Sequence, residues 1–417
     1  MRGAATGAGD SNVGAGLRMG SSQRKGMLGP SLNPRSAIEG KRRPSFSDGA
    51  RAKEAEWSMR RNQTRSGRWQ DDAVCWCAGW LIALLLAGCG RPDGAPDLQE
   101  FSFGGPVMGT SYHIKVVLPG DGELPEGLSA GVHERLERVN ALMSTYRVDS
   151  EVSRFNAAEG PVWMDCSAET AAVVAEALEL GRMTDGALDI TVGPLVDLWH
   201  FGSGGGDADD SVPSPEQIEA VRPVIGLDAI DVRMDPPALF KRASGVRIDL
   251  SAIAKGYAVD RAAEYLLERG VGHFMIEVGG EIRVHGLSAR GGRWNIAVEQ
   301  PLPGLRRSQR VLSLSDLAVA TSGDYRNYFE VDGRRYSHII DPGTGRPIEH
   351  ALASVTVLSS SCMRADGLAT AMLVLGPDRG WELALEHDWA VYFLIRDAQG
   401  WEQRSSAAFE RMLSAED

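Results

Sequence analysis

Apolar and polar positions change rhythm several times along this 417-residue chain, and each change predicts an element. Residues 1–58 are rich in Gly, Ser and Arg with almost no apolar periodicity, so they cannot bury enough surface to offset chain entropy. An apolar run from Ala73 to Ala87 follows. From Ser111 to Leu118, S-Y-H-I-K-V-V-L alternates with the period of a strand. Beyond a Gly/Pro loop, Leu128, Val132, Leu136, Val139 and Met143 fall on one helical face. Ser167 is placed to cap a second helix, Ala168 to Met183, and Asp185-Gly186 marks the turn after it. The apolar segment I-T-V-G-P-L-V-D-L-W-H-F-G then reads as broken by Gly193-Pro194.

Val246 and Ile248 alternate with Arg247 and Asp249, predicting a strand that leads into a site. From Lys255 the spacing of Ala258, Ala262, Tyr265 and Leu266 is helical, and Gly270 stands where a left-handed C′ residue ends the helix. Residues 273–286 read as a hairpin bending at Gly279-Gly280, residues 294–301 as a strand stopped by proline, and residues 317–326 as a strand opening onto a turn. No internal repeat is evident, and helices and strands lack the regular alternation of a doubly wound sheet. The expected fold is α+β, or mixed α/β, in a single domain from about Phe101 to the C-terminus.

Composition changes the picture mainly at the N-terminus. Arg60, Arg61, Arg65 and Arg68 precede the apolar run, which ends L-A-G-C at residues 86–89. A basic region, a short apolar core and small residues before cysteine describe a signal peptide over residues 59–88, whereas a spanning helix needs about 20 apolar residues. The cysteine makes it similar to a bacterial lipoprotein signal, with a lipid anchor on Cys89 and a linker over residues 89–100; translation then starts at or near Met59, or residues 1–58 are a disordered extension. An uncleaved apolar anchor is the alternative. Residues 1–88 carry fourteen Lys/Arg against seven Asp/Glu, so the chain from Cys89 onward has a formal charge of −19 rather than −12. That acidity excludes a nucleic-acid binder. Of five cysteines, only Cys166 and Cys362 remain beyond the anchor, either paired or as buried thiols.

Four stretches carry candidate chemistry. I-D-L-S-A-I-A-K-G-Y-A-V-D, residues 248–260, places an acid, a lysine and a glycine at a helix start, where free N–H groups and the dipole favour an anion. It is not a Walker loop, since G-x-x-x-x-G-K-[ST] is absent. M-S-T-Y-R-V-D-S-E-V-S-R-F-N, residues 143–156, crowds polar and aromatic residues without a core period, reading as either a working surface loop or a polar helix connection. Y-S-H-I-I-D-P-G-T-G-R-P, residues 336–347, puts His338 and Ile340 on one strand face and Asp341 at a Pro/Gly turn. A-D-G-L-A-T-A, residues 365–371, sets Asp366 and Thr370 one helical turn apart, two hard oxygen donors that suit Mg²⁺ better than zinc. On spacing alone such a pair is equally an ordinary helix surface. The Gly/Asp loop Ser203–Asp210 lacks calcium-loop spacing and reads as an insertion.

These clusters, together with M-G-T at 108–110, T-D-G-A-L-D-I-T-V-G-P-L-V-D-L-W and A-T-S-G-D-Y-R, occur in an order that resembles the ApbE family of FAD:protein FMN transferases. The resemblance spans roughly Phe101 to Gly376. It implies that FAD is held by Met108, Tyr146, Ala187, Leu188, Asp189, Asp249, Lys255 and Ile340. It implies Mg²⁺ on the carbonyl of Ala252, the carboxylate of Asp366 and the hydroxyl of Thr370. Leu188, where the family usually has an aromatic residue, and Gly343, inside D-P-x-T-G, depart from the pattern. The implied reaction moves FMN from FAD to a threonine hydroxyl of a target protein and releases AMP. Lys255 then neutralises phosphate charge, and His338 or Asp341 is the candidate general base. The implied target is a membrane redox complex subunit, and the implied location is the periplasmic side of a bacterial membrane. Hydrolysis of FAD to FMN and AMP, or FAD binding without turnover, are the alternatives.

Overall fold

The structure, a computed structural model, describes residues 98–202, 211–302, 307–325 and 327–414. Residues 1–97, which include the expected signal peptide and Cys89, and the loop 203–210 lie outside the described residues. Eight strands form one sheet in the order Leu98–Val107, Thr110–Pro119, Phe274–Val278, Glu281–His285, Ala318–Gly323, Leu352–Ser359, Ala390–Asp397 and Gly400–Ser405. Neighbours in the sheet follow chain order and every pairing is antiparallel, which makes the domain α+β as expected.

Helices enter between these strands: α1 (Leu128–Met143), α2 (Glu151–Ala157), α3 (Ala168–Met183), α4 (Gly193–Leu198), α5 (Pro215–Val221), α6 (Ala254–Glu268), α7 (Cys362–Glu386) and α8 (Ala407–Ser414). The apolar stripes of α1, α3, α6 and α7 meet one face of the sheet, where Ile114, Val116, Ile276, Val357, Val391 and Phe393 are buried. The opposite face, with Val117, Val319, Leu358, Tyr392 and Leu394, is covered by the hairpin Trp294–Glu299 / Ser308–Leu314 and by α8. The large central strands are therefore buried on both sides.

Three elements correct the sequence reading. Residues 246–250 form no regular strand. Val246 and Ile248 are buried, which explains the alternation, but the edge partner of Ile248 is a side chain: Ile248 N donates to Asn156 Oδ1 at 2.7 Å, and Asn156 Nδ2 donates back to Ile248 O at 2.9 Å. Gly193-Pro194 opens α4 instead of breaking the segment, because proline fits the first turn, where its missing N–H is not needed. The strand Arg334–Ser337 ends before His338, so His338 and Ile340 do not share one strand; Ile340–Asp341 pairs separately with Arg346–Pro347.

The polar crowd at 143–156 is half helix. Ser150 caps α2 by accepting from Ser153 N at 2.9 Å, while Glu151 accepts from Ser167 N and Oγ and from Thr170 Oγ1, tying α2 to the start of α3. At the end of α6, Gly270 N donates to Leu267 O and Val271 N to Leu266 O, the paired bonds of a Schellman cap. Cys166 and Cys362 are free thiols.

Candidate active site

Four backbone elements converge on Lys255. Two of them are two-residue hairpin turns. Met108-Gly109 joins the first two strands with φ of 49° and 72°. Positive φ is uncommon for a residue with a side chain and costs about 1 kcal/mol, so methionine at this tip is a locally strained choice. Gly279-Gly280 is the second turn, and Gly279 N donates to Ser111 O at 3.1 Å, locking the two hairpins together. A Cβ on Gly279 would lie 2.8 Å from Thr110 Cγ2, so the bare turn is what lets the two hairpins approach, and Lys255 Cδ passes 3.4 Å from the same position.

The other two elements are α6 and α7. A Cβ on Gly256 would lie only 2.3 Å from the Cys362 carbonyl oxygen, so the helices cross at backbone contact distance. Gly256 N–H, one of the orphan donors in the first turn of α6, donates to Asp366 Oδ2 at 2.9 Å. The start of α6 thus receives a carboxylate from the neighbouring helix, a favourable pairing with its dipole. Lys255 Nζ donates to Ser251 O at 3.2 Å and lies 3.4 Å from Glu281 Oε1 and 3.6 Å from Asp366 Oδ1. Asp366 and Glu281 are 2% and 4% exposed. Burial favours the neutral forms of all three groups. For Lys255 this is outweighed by the two carboxylates, which hold its pKa above the ordinary range. For Asp366 burial wins over Lys255 and raises the pKa. Burial raises the Glu281 pKa, against the pull of Lys255 and with the added repulsion of Asp366.

One turn beyond Asp366 on α7, Thr370 Oγ1 lies 3.1 Å from Ser322 Oγ on the sheet. His338 sits close enough for the Lys255 charge to act on it. Burial first, and Lys255 after it, lower the imidazole pKa, although the Asn327 carbonyl and Asp324 oppose them. Its Nδ1 is 2.9 Å from Asn327 O. A carbonyl can only accept, so the proton belongs on Nδ1 and the lone pair on Nε2.

The remaining expected residues fall into other groups. Tyr146 projects from the α1–α2 loop with its side chain 71% exposed. Desolvation, then the carboxylates of Asp249 and Asp197, raise its hydroxyl pKa. Asp249 N donates to Ile190 O at 2.7 Å, which couples this group to the Ala187–Asp189 segment. Ala187, Leu188 and Asp189 are 7%, 2% and 7% exposed, with the Asp189 carboxylate committed to Thr191 N and Oγ1 at 2.8 and 2.6 Å. What this segment offers a ligand is backbone. Ile340 packs with Leu195, Trp199 and Ile218. Asp341 Oδ1 accepts from Gly343 N at 2.8 Å and shapes its own turn. Sequence reasoning missed Glu281 and Ser322. Glu281 had one available signal, an acid directly after the Gly-Gly turn, on the strand that pairs beside Lys255.

Among the described residues no three His, Cys, Asp or Glu side chains cluster as a metal cage. The donors expected there are instead the Asp366 carboxylate, the Thr370 hydroxyl and the Ala252 carbonyl just ahead of α6, all hard oxygens, a chemistry that fits a Mg²⁺-type ion.

The antiparallel sheet and the helices that set Lys255 between two buried acids can be compared with known proteins. The ApbE family matches residues 108–393, and the chain belongs to it. A relative from Vibrio cholerae named FAD:protein FMN transferase is 44% identical over 340 residues, 80% of this chain and 99% of its own length. One from Haemophilus influenzae with the same name is 42% identical over 339 residues, 79% of this chain and 95% of its own. Solved structures agree. The flavin transferase ApbE from Vibrio cholerae superposes with a TM-score of 0.69 at 43% identity, covering 75% of this chain and 99% of that one. The apo flavinyl transferase ApbE of Pseudomonas stutzeri gives 0.69 at 41%, covering 77% and 98%.

Proposed function

We propose that this chain is a Mg²⁺-dependent flavin transferase that moves FMN from FAD to a threonine hydroxyl of a target protein. The observation that carries the reading is the Lys255–Asp366–Glu281 centre at the crossing of α6 and α7. Asp366, Thr370 and the Ala252 carbonyl would hold the cation, which supplies charge neutralisation at a pyrophosphate. Lys255 binds phosphate oxygens as a second positive charge. Tyr146, Asp249, Ile340, Met108 and the backbone of Ala187–Asp189 hold the rest of FAD.

His338, with its lone pair on Nε2 and its pKa lowered, takes the proton from the threonine hydroxyl. Asp341 is less suited, since its carboxylate is spent on Gly343 N. The threonine oxygen forms a bond to the FMN phosphorus as the pyrophosphate P–O bond breaks, and AMP departs with the bridging oxygen. The acceptor is the subunit of a membrane redox complex on the periplasmic side, reached by an enzyme lipid-anchored at Cys89. Asp366→Ala tests the reading. AMP release from FAD in the presence of acceptor should fall about 100-fold or more at limiting Mg²⁺, and near wild-type release would remove Asp366 from the metal site.

A further inference from the structure

The Lys255 centre holds one cation between two buried carboxylates, and the second of them is incompletely satisfied. Glu281 opens its strand directly after the Gly279-Gly280 turn, which is fixed by Gly280 N donating to Glu277 Oε1 at 2.7 Å. Glu281 Oε1 faces Lys255, while Oε2 is buried without a hydrogen-bond partner. Burying a carboxylate with one oxygen unpaired is unfavourable, so fold stability alone does not explain an acid at this position. The two acids are also not equivalent. Asp366 Oδ2 is engaged by Gly256 N–H, so Oδ1, the oxygen nearest Lys255, is the one left to give to a cation. A cation on Oδ1 competes with Lys255 for the same atom.

We propose that Glu281 is a positioning residue that anchors Lys255 when Asp366 turns to a divalent cation, so that the ammonium neither leaves the site nor blocks the metal. This rests on the reading of Asp366 as a metal ligand. Glu281 acts through Lys255 and needs no contact with substrate.

The test is Glu281→Gln in the full chain with FAD bound, read by calorimetric titration with Mg²⁺ alone and, separately, by steady-state AMP release with an acceptor. Without the Glu281 carboxylate, Lys255 keeps the neutral Ser251 carbonyl but has Asp366 as its remaining buried charge partner, so Mg²⁺ affinity should fall about tenfold, as on loss of partners that orient metal-site groups. Turnover, kcat, should fall by a similar factor while KM for FAD stays near wild type, and Glu281→Asp should recover part of both. Wild-type Mg²⁺ affinity in Glu281→Gln, or a loss expressed in KM rather than kcat, overturns the proposal. If Glu281→Gln does not fold, Glu281→Asp carries the test, with an intermediate loss of Mg²⁺ affinity expected and a wild-type value overturning it. A wild-type protein with FAD that takes up no Mg²⁺ overturns the metal-site reading itself, and this inference with it.

Discussion

His338 and Gly256 show how much single atoms decide here. The Asn327 carbonyl fixes the imidazole proton on Nδ1, and burial together with the nearby ammonium keeps the ring neutral below its ordinary value of 6.5. A base works only while deprotonated, so the transfer rate should hold from neutral pH down through 6.5 and fall only at more acid pH, where the imidazole charges. His338→Gln keeps a polar side chain but has no proton-accepting nitrogen. It should lower kcat about 10²- to 10⁴-fold and abolish that acid limb in a pH–rate profile; an unchanged limb would assign the base elsewhere. At Gly256 even one carbon is too many. Gly256→Ala places a Cβ 2.3 Å from Cys362 O and 2.8 Å from Asp366 Cβ, so the helices must part. We expect a loss of about 1–3 kcal/mol in thermal or denaturant unfolding, with weakened Mg²⁺ binding because Asp366 moves.

Among the elements, α7 depends on its neighbour for its start. Asp260 of α6 accepts from Cys362 N and Met363 N, both at 3.0 Å, from Ser361 Oγ at 2.9 Å, and from Arg283. This carboxylate satisfies the orphan N–H groups and complements the dipole of the helix that carries Asp366 and Thr370. Asp260→Asn should cost about 1.5–3 kcal/mol in chemical unfolding, and an unaffected midpoint would show that Ser361 suffices as a cap. The amphipathic helices were legible in the sequence because one face meets the core: α1 has the five buried positions its spacing indicates, and α3 its Ser167 cap and both ends. The strands Leu352–Ser359 and Ala390–Asp397 gave no alternation to read, since helices cover one face and the Trp294 hairpin and α8 the other. Residues 246–250 failed for the opposite reason. Their alternation is real, but Asn156 stands in for a neighbouring strand. The site shows the same division. Lys255, Asp366 and Thr370 lie in stretches with chemical spacing, whereas Glu281 looks like any polar residue of a hairpin until the fold sets it against Lys255.

For the whole molecule, the acidic balance and the leader-like segment make sense together if the chain is an exported enzyme that meets its acceptor at a membrane surface. Among the described residues no helix is long and apolar enough to cross a membrane, and the proposed attachment is the lipid on Cys89. Cys89→Ala should leave catalysis by the detergent-solubilised protein unchanged and shift the protein from the membrane to the soluble fraction; retention on the membrane would point to the uncleaved apolar run instead. The central claim is the transfer itself. Its most direct measurement is mass spectrometry of a flavin-acceptor domain incubated with the protein, FAD and Mg²⁺, with AMP followed in parallel. The account predicts a mass gain of one FMN on a threonine, matched by AMP. AMP and free FMN with no modified acceptor, or neither product, would contradict it.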